Sequence, residues 1–306
     1  MNHLSFYWLA ENRQQLLESL ESEFAQLVEQ SIATGRITLP PIPDVVLKIQ
    51  QLCTKDETGI PDITECLIED PSLAAVVIRV ANSVVFNRRN ITCTDIQNAV
   101  SRLGIMRVRD IVTAQAIEQL KHSASLEEEC SKILVKSAAT SKELAATMVL
   151  VTQEILRHSE GEYNYLEVEK SLLVGLLADI GLYCLVNEYH LYLDRGNYLN
   201  YELALQIFNA RCSATSELVL KHWKFDSDFI EVAMNREINE NRAEITYLDI
   251  ARMAHHLLMF RRNDENIDDH QVELNHVGAE AMYELSNLNK RDFNSRIGDV
   301  ISATGL

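Results

Sequence analysis

The chain has 306 residues, 47% hydrophobic and 24% charged, an ordinary globular composition with room for one large domain or two smaller ones. Its 45 acidic and 28 basic residues give a formal net charge of −17. That disfavours nucleic acid as a partner, because neutralising phosphates takes a concentrated basic surface. The start, MNHLSFYWLAENRQQ, has no basic stretch followed by an apolar one. No run is seen that approaches the ~20 apolar residues of a membrane span, so a cytoplasmic location and no membrane partner are expected.

All five prolines lie at or before Pro71 and glycine is sparse, which favours helices because these two residues punctuate turns. In chain order, residues 1–37 predict a leading amphipathic helix with a stripe of Leu16, Leu17, Leu20, Phe24, Leu27 and Val28. That stripe is too apolar to stay in water, so the helix is expected to dock on the body or to mediate oligomerisation with a second subunit. Thr38–Pro43 is a proline-rich entry, and residues 44–122 read as several short helices. Asp62 with Glu65 suggests a capping box, and Asp70 before Pro71 an N-cap with proline at the first helical position. The stripe Ile96, Ala99, Val100, Leu103 ends at Gly104, where a C-terminal cap belongs.

After a polar break at His122–Glu129, residues 130–260 read as longer helices interrupted at His158–Asn164 and Asp194–Asn200. Leu248, Ala251, His255 and Leu258 form the last clear stripe. A charged segment, Arg261–Asn275, precedes a helical tail. No alternating pattern with a hairpin turn occurs, so the fold class is all-α. Four regions are expected, 1–37, 38–124, 125–260 and 261–306.

The six cysteines include no CxxC pair and read as buried small residues rather than zinc ligands or disulfides. The most site-like segment is Gly175-Leu176-Leu177-Ala178-Asp179-Ile180-Gly181, which sets one carboxylate in an apolar helix between glycines. Such a group must be paired, hydrogen-bonded or metal-bound. The adjacent His255 and His256 point to different faces of a helix and do not converge on one ion. Arg88, Arg89, Arg102, Arg107 and Arg109 form the best candidate basic patch.

LPPIPDVVLKIQQL from Leu39, IEDPSLAAVVIRVANS and TCTDIQNAVSRLGIMRVRDIV together resemble the signature of HDOD domains, HD-related output domains of bacterial signalling proteins. Asp70-Pro71, Arg79, Ala81-Asn82-Ser83 and Arg102-Leu103-Gly104 carry the match, which extends over roughly residues 38–260. The resemblance implies an all-α fold related to HD metal-dependent phosphohydrolases, with an N-terminal helical lobe and an HD-like lobe. HD enzymes hold metal with a histidine, an adjacent His-Asp pair and a later aspartate. Carried over, those positions are Thr140, Ala178, Asp179 and Arg252, so only Asp179 survives. One carboxylate cannot fix an ion's geometry or activate its water. No metal, cofactor or catalytic residue is therefore expected. Arg252 is expected to pair with Asp179 in the vacated position, and Glu143, His255 or His256 are the residues from which a metal site could be rebuilt.

Three functions follow from these residues. The first is a non-catalytic regulatory module, a pseudoenzyme that binds a protein partner or a small anionic effector, with Arg79, Asn82 and Arg102 lining a candidate groove. The second is an HD-type phosphohydrolase, opposed by the lost ligands. The third is a nucleic-acid-binding regulator, opposed by the acidity.

Overall fold

The computed structural model describes residues 22–87, 91–123, 126, 128–236, 244–270 and 272–304, and every regular element among them is a helix. Leu16, Leu17 and Leu20 of the leading stripe, and Arg88 and Arg89 of the basic patch, lie outside the described residues. The helix α1 (Glu23–Ala33) is capped by Ser22, whose Oγ accepts from the Ala25 N–H at 3.0 Å. Phe24 and Val28 are fully buried. The Phe24 ring sits 5.7 Å from that of Tyr189 and 5.3 Å from that of Tyr192, both on α9 (Gly181–Asp194). This part of the leading stripe is thus buried against the chain's own body.

Four short helices follow: α2 (Asp44–Leu52), α3 (Ile60–Ile68), α4 (Pro71–Ala81) and α5 (Ile96–Leu103). Of these, α2, α4 and α5 pack on α6 (Ile105–Ser123), while α3 packs on α2, α4 and α5. Asp70 caps α4 as expected, accepting from the Ser72 and Leu73 N–H groups at 3.0 and 3.1 Å. Gly104 has φ +80° and reverses the chain between α5 and α6. The capping box at α3 is one turn earlier than the sequence suggests. Gly59 is the N-cap, and its N–H donates to Asp62 Oδ2 at 2.8 Å. Pro61 fits there because the first helical turn needs no N–H from it.

The 31-residue α7 (Glu128–His158) is the axis of the rest. Around it pack α6, α8 (Val168–Leu177), α9, α12 (Tyr247–Arg262), α13 (His276–Asn287) and α14 (Lys290–Thr304). The helices α10 (Tyr201–His222) and α11 (Ser227–Met234) close over α9 and α8 respectively. The last helix is tied to the body by two contacts one turn apart. Glu154 of α7 is buried and pairs with Arg157 and, at 3.5 Å, with Arg296 of α14. Arg261 lies 4.7 Å over the ring of Phe293.

Among the described residues one stretch, Val168–Asp194, passes by length and composition alone as a possible membrane span, where no such run is expected from the sequence. In the fold it is two helices, α8 and α9, broken by a turn at Ala178–Ile180, and 83% of its most apolar window is buried inside the protein. Its apolarity serves the core.

The glycines flanking Asp179 are required by close helix approach. A Cβ at Gly175 would lie 2.7 Å from Ala145 Cα, and one at Gly181 only 2.3 Å from Ser216 N. Backbone atoms cannot yield as a flexible side-chain tip can, and overpacking of this kind typically costs about 1–3 kcal/mol. Gly181→Ala is therefore expected to destabilise by at least the upper end of that range in chemical denaturation. Gly298→Ala on α14, where a Cβ meets nothing within 4 Å, should be neutral or stabilising by up to about 1 kcal/mol. Equal effects at the two positions would contradict the packing described.

Candidate functional site: a buried carboxylate held by lysine and serine

Asp179 sits in the turn between α8 and α9 with 1% of its surface exposed. Its Oδ1 accepts from Lys121 Nζ at 2.9 Å and from Ser141 Oγ at 2.9 Å, and its Oδ2 accepts from Ser137 Oγ. Lys121 Nζ also donates to Ser137 Oγ at 2.9 Å. Lys121, Ser137 and Ser141 are all buried. A carboxylate removed from water is tolerable only with such partners, and here two hydroxyls and one ammonium meet it.

The donors come from two helices. Lys121 is the last-turn lysine of α6, while Ser137 and Ser141 stand one turn apart on α7, so their side chains share the face turned to α8 and α9. The end of α6 is further held against α7 by Lys142 Nζ, 3.0 Å from Glu118. The sequence reading found Asp179 but missed its three partners. The i, i+4 serines Ser137 and Ser141, set among the small residues Ser-Ala-Ala-Thr-Ser, were the available signal. Lys121 gave none, since a lysine in a last helical turn ordinarily faces solvent and the helix dipole.

The expected partner, Arg252, is engaged elsewhere. Its Nε donates to Asn235 Oδ1 at 2.9 Å and its Nη2 to the Arg236 carbonyl at 3.0 Å. Asn235 ends α11 in the left-handed conformation, φ 43°, and this turn brings both acceptors to α12. The cation at Asp179 is Lys121, which corrects the expectation. Thr140 and Ala178 are buried beside the serines and Asp179 in sequence.

The residues proposed for a rebuilt site are also committed. Glu143 pairs with Arg262 on α12. His256 Nδ1 lies 2.9 Å from the His270 carbonyl, and the buried His255 ring packs edge-on against His270 at 5.2 Å. Among the described residues, no three His, Cys, Asp or Glu side chains are grouped to hold a metal. The donor set at Asp179, an ammonium and two hydroxyls around one carboxylate, does not fit a divalent ion.

The signature residues of the first third form a second polar cluster. Asn82 Nδ2 donates to the Cys93 carbonyl at 2.7 Å, and the Cys93 N–H donates to Asn82 Oδ1 at 2.8 Å. Arg102 Nη1 donates to the Ala81 carbonyl at 2.8 Å and its Nη2 to the Ile91 carbonyl at 2.6 Å. Together they clip residues 91–93 to the end of α4. Arg79, in the last turn of α4, is exposed, and its guanidinium makes no hydrogen bond or ion pair among the described residues.

Arg107 and Arg109, the other described arginines of the basic patch, are also engaged within the fold. Arg107 meets Glu167 at 2.6 Å. Arg109 meets Asp110 at 2.6 Å, donates to the Lys224 carbonyl at 3.3 Å and lies 4.4 Å over the Phe225 ring. Burial pushes the Asp110 carboxyl up to about 6, against the opposite pull of Arg109. A mostly apolar surface groove of about 460 Å³ lies where α7, α8 and α14 meet the segment after α4, lined by Val84, Val85, Leu156, Val168 and Val300 with Gln153 and Asp299.

The family model of the HDOD domain matches residues 39–238, and the chain belongs to the HDOD family. The fold is shared with solved structures of low sequence identity. A protein of Shewanella amazonensis SB2B, described as a candidate metal-dependent phosphohydrolase, superposes with a TM-score of 0.71 at 20% identity, covering 96% of this chain and 100% of that one. An HDOD domain protein of unknown function from Geobacter sulfurreducens gives 0.50 at 16% identity, covering 92% and 97%. A candidate signal transduction protein of Marinobacter aquaeolei VT8 gives 0.50 at 14% identity, covering 100% and 66%. No curated protein matches the chain.

The geometry separates Arg79 from its two neighbours in the signature. Asn82→Ala leaves the N–H and C=O of the buried Cys93 without their partner, at about 1–3 kcal/mol per group. Asn82→Ala and Arg102→Ala should both melt several degrees early, whereas Arg79→Ala should keep the wild-type Tm. Wild-type melting of all three would remove the clip from the account.

Proposed function

We propose that this HDOD protein is a non-catalytic signal-transduction module that binds a partner protein or a small effector. The observation that carries the reading is the occupancy of Asp179. The one carboxylate that matches the metal set of HD enzymes already accepts from Lys121, Ser137 and Ser141. Metal-assisted hydrolysis needs an ion with open positions and a water whose pKa it lowers. Asp179 could serve an ion only by displacing a buried ammonium, and Thr140, Ala178 and Arg252 supply no further anionic ligand.

Three further features support a binding role over the alternatives. Arg102, Arg107 and Arg109 spend their donors inside the fold, so a net charge of −17 is left without these residues as a nucleic-acid surface. Arg79 remains exposed and fits the anionic contact expected of an effector or partner. The groove beside Val84 is mostly apolar, as small-ligand and partner sites commonly are, and among the described lining residues Asp299 carries the one charge.

The reading is tested by elemental analysis of dialysed protein, with phosphodiesterase assays in the presence of Mg²⁺, Mn²⁺ and Fe²⁺. Less than about a tenth of a metal ion per chain and no hydrolysis above a protein-free control are expected. A stoichiometric metal, with activity lost in Asp179→Ala, would make the protein an enzyme.

A further inference from the structure

We propose that the Asp179 cradle is a binding site for a primary ammonium, occupied in cis by Lys121, which stands where the related HD enzymes hold a metal ion. The inference rests on reading the lobe as metal-free and goes on to say what replaced the ion. A bundle built around a metal centre holds ligands from several helices to one positive charge. Losing the ion while keeping Asp179 would leave a carboxylate with 1% exposure among apolar neighbours such as Leu177, Ala178 and Ile180. Here the positive charge returns on a side chain. Lys121 Nζ takes Asp179 Oδ1 and Ser137 Oγ, both at 2.9 Å. Ser137 donates its own hydroxyl hydrogen bond to Oδ2, and Ser141 donates to Oδ1. An ammonium offers three N–H donors, and this cradle meets two of them with oxygens.

The cis arrangement joins parts of the molecule that the turn at Asp179 alone would not join. Asp179 belongs to the α8–α9 turn, the serines to α7, and Lys121 to the end of α6, whose other packing partners include α2, α4 and α5. The cradle therefore anchors, at the centre of the HD-like helices, the helix on which the N-terminal helices pack. A merely space-filling lysine would be replaced equally well by any side chain of similar volume. A cationic ligand of the cradle would not.

Removing the lysine beyond Cβ deletes three methylenes and the ammonium, the outline of propylammonium. The test is thermal melting of the full-length Lys121→Ala variant with added propylammonium chloride, against sodium chloride and 1-propanol at matched concentration. The variant should melt several degrees below wild type. Propylammonium should raise its Tm saturably, as expected for a ligand of the folded state, and leave wild type unmoved. Neither control should do so, and Lys121→Met, which keeps volume without charge, should stay low under all three. If Lys121→Ala fails to fold, the same comparison is read as the yield of folded protein after refolding with each additive. An Asp179→Asn change in the Lys121→Ala background should abolish the rescue. No selective response to propylammonium, or equal rescue by 1-propanol, would overturn the proposal. That failure is distinct from finding a stoichiometric metal in wild type, which would count against the metal-free reading itself.

Discussion

A carboxylate almost wholly removed from water must find positive charge or be neutralised, and in this protein that requirement falls on Asp179. It lies where two apolar helices meet, 1% exposed, and the effective desolvation penalty for an unpaired ion there is several kcal/mol. The Lys121 ammonium and the two serine hydroxyls offset it. The arrangement specifies position as well as charge. It fixes the end of α6 against α7 and fixes the α8–α9 turn against both.

The surrounding packing is built to hold that turn in place. Gly175 lets α8 approach α7 at Ala145, and Gly181 lets α9 approach α10 at Ser216, whose Oγ accepts the Gly181 N–H at 2.9 Å. The turn that carries Asp179 is thus fixed by close helix packing on both sides. Fold does not carry function by itself. The similarity to a candidate metal-dependent phosphohydrolase is a similarity of helices, and the residues at the site decide what those helices do.

Much of this was legible in the sequence, and the failures have physical causes. The helices followed from periodicity, and Asp70 and Gly104 from cap chemistry that acts within a few residues. The need of Asp179 for a partner followed from its apolar neighbours. The identity of that partner did not, because Lys121 is 58 positions away and lies in a helical turn where lysine usually meets solvent. Arg252 was the wrong choice because the left-handed turn at Asn235 delivers nearer acceptors. Asn82 and Arg102 were legible as signature residues but not as a clip, since their partners are backbone groups, which leave no trace in residue identity.

The central claim, that Lys121 and Asp179 form one buried charge unit, is tested most directly by a double-mutant cycle. The folding free energies of wild type, Lys121→Met, Asp179→Asn and the double variant are measured by denaturant unfolding. Each single change strands a buried group and should cost about 3–5 kcal/mol, while the double variant should cost clearly less than their sum, by about 2 kcal/mol or more. Additivity to within about 0.5 kcal/mol would show that the two side chains do not depend on each other and would contradict the account.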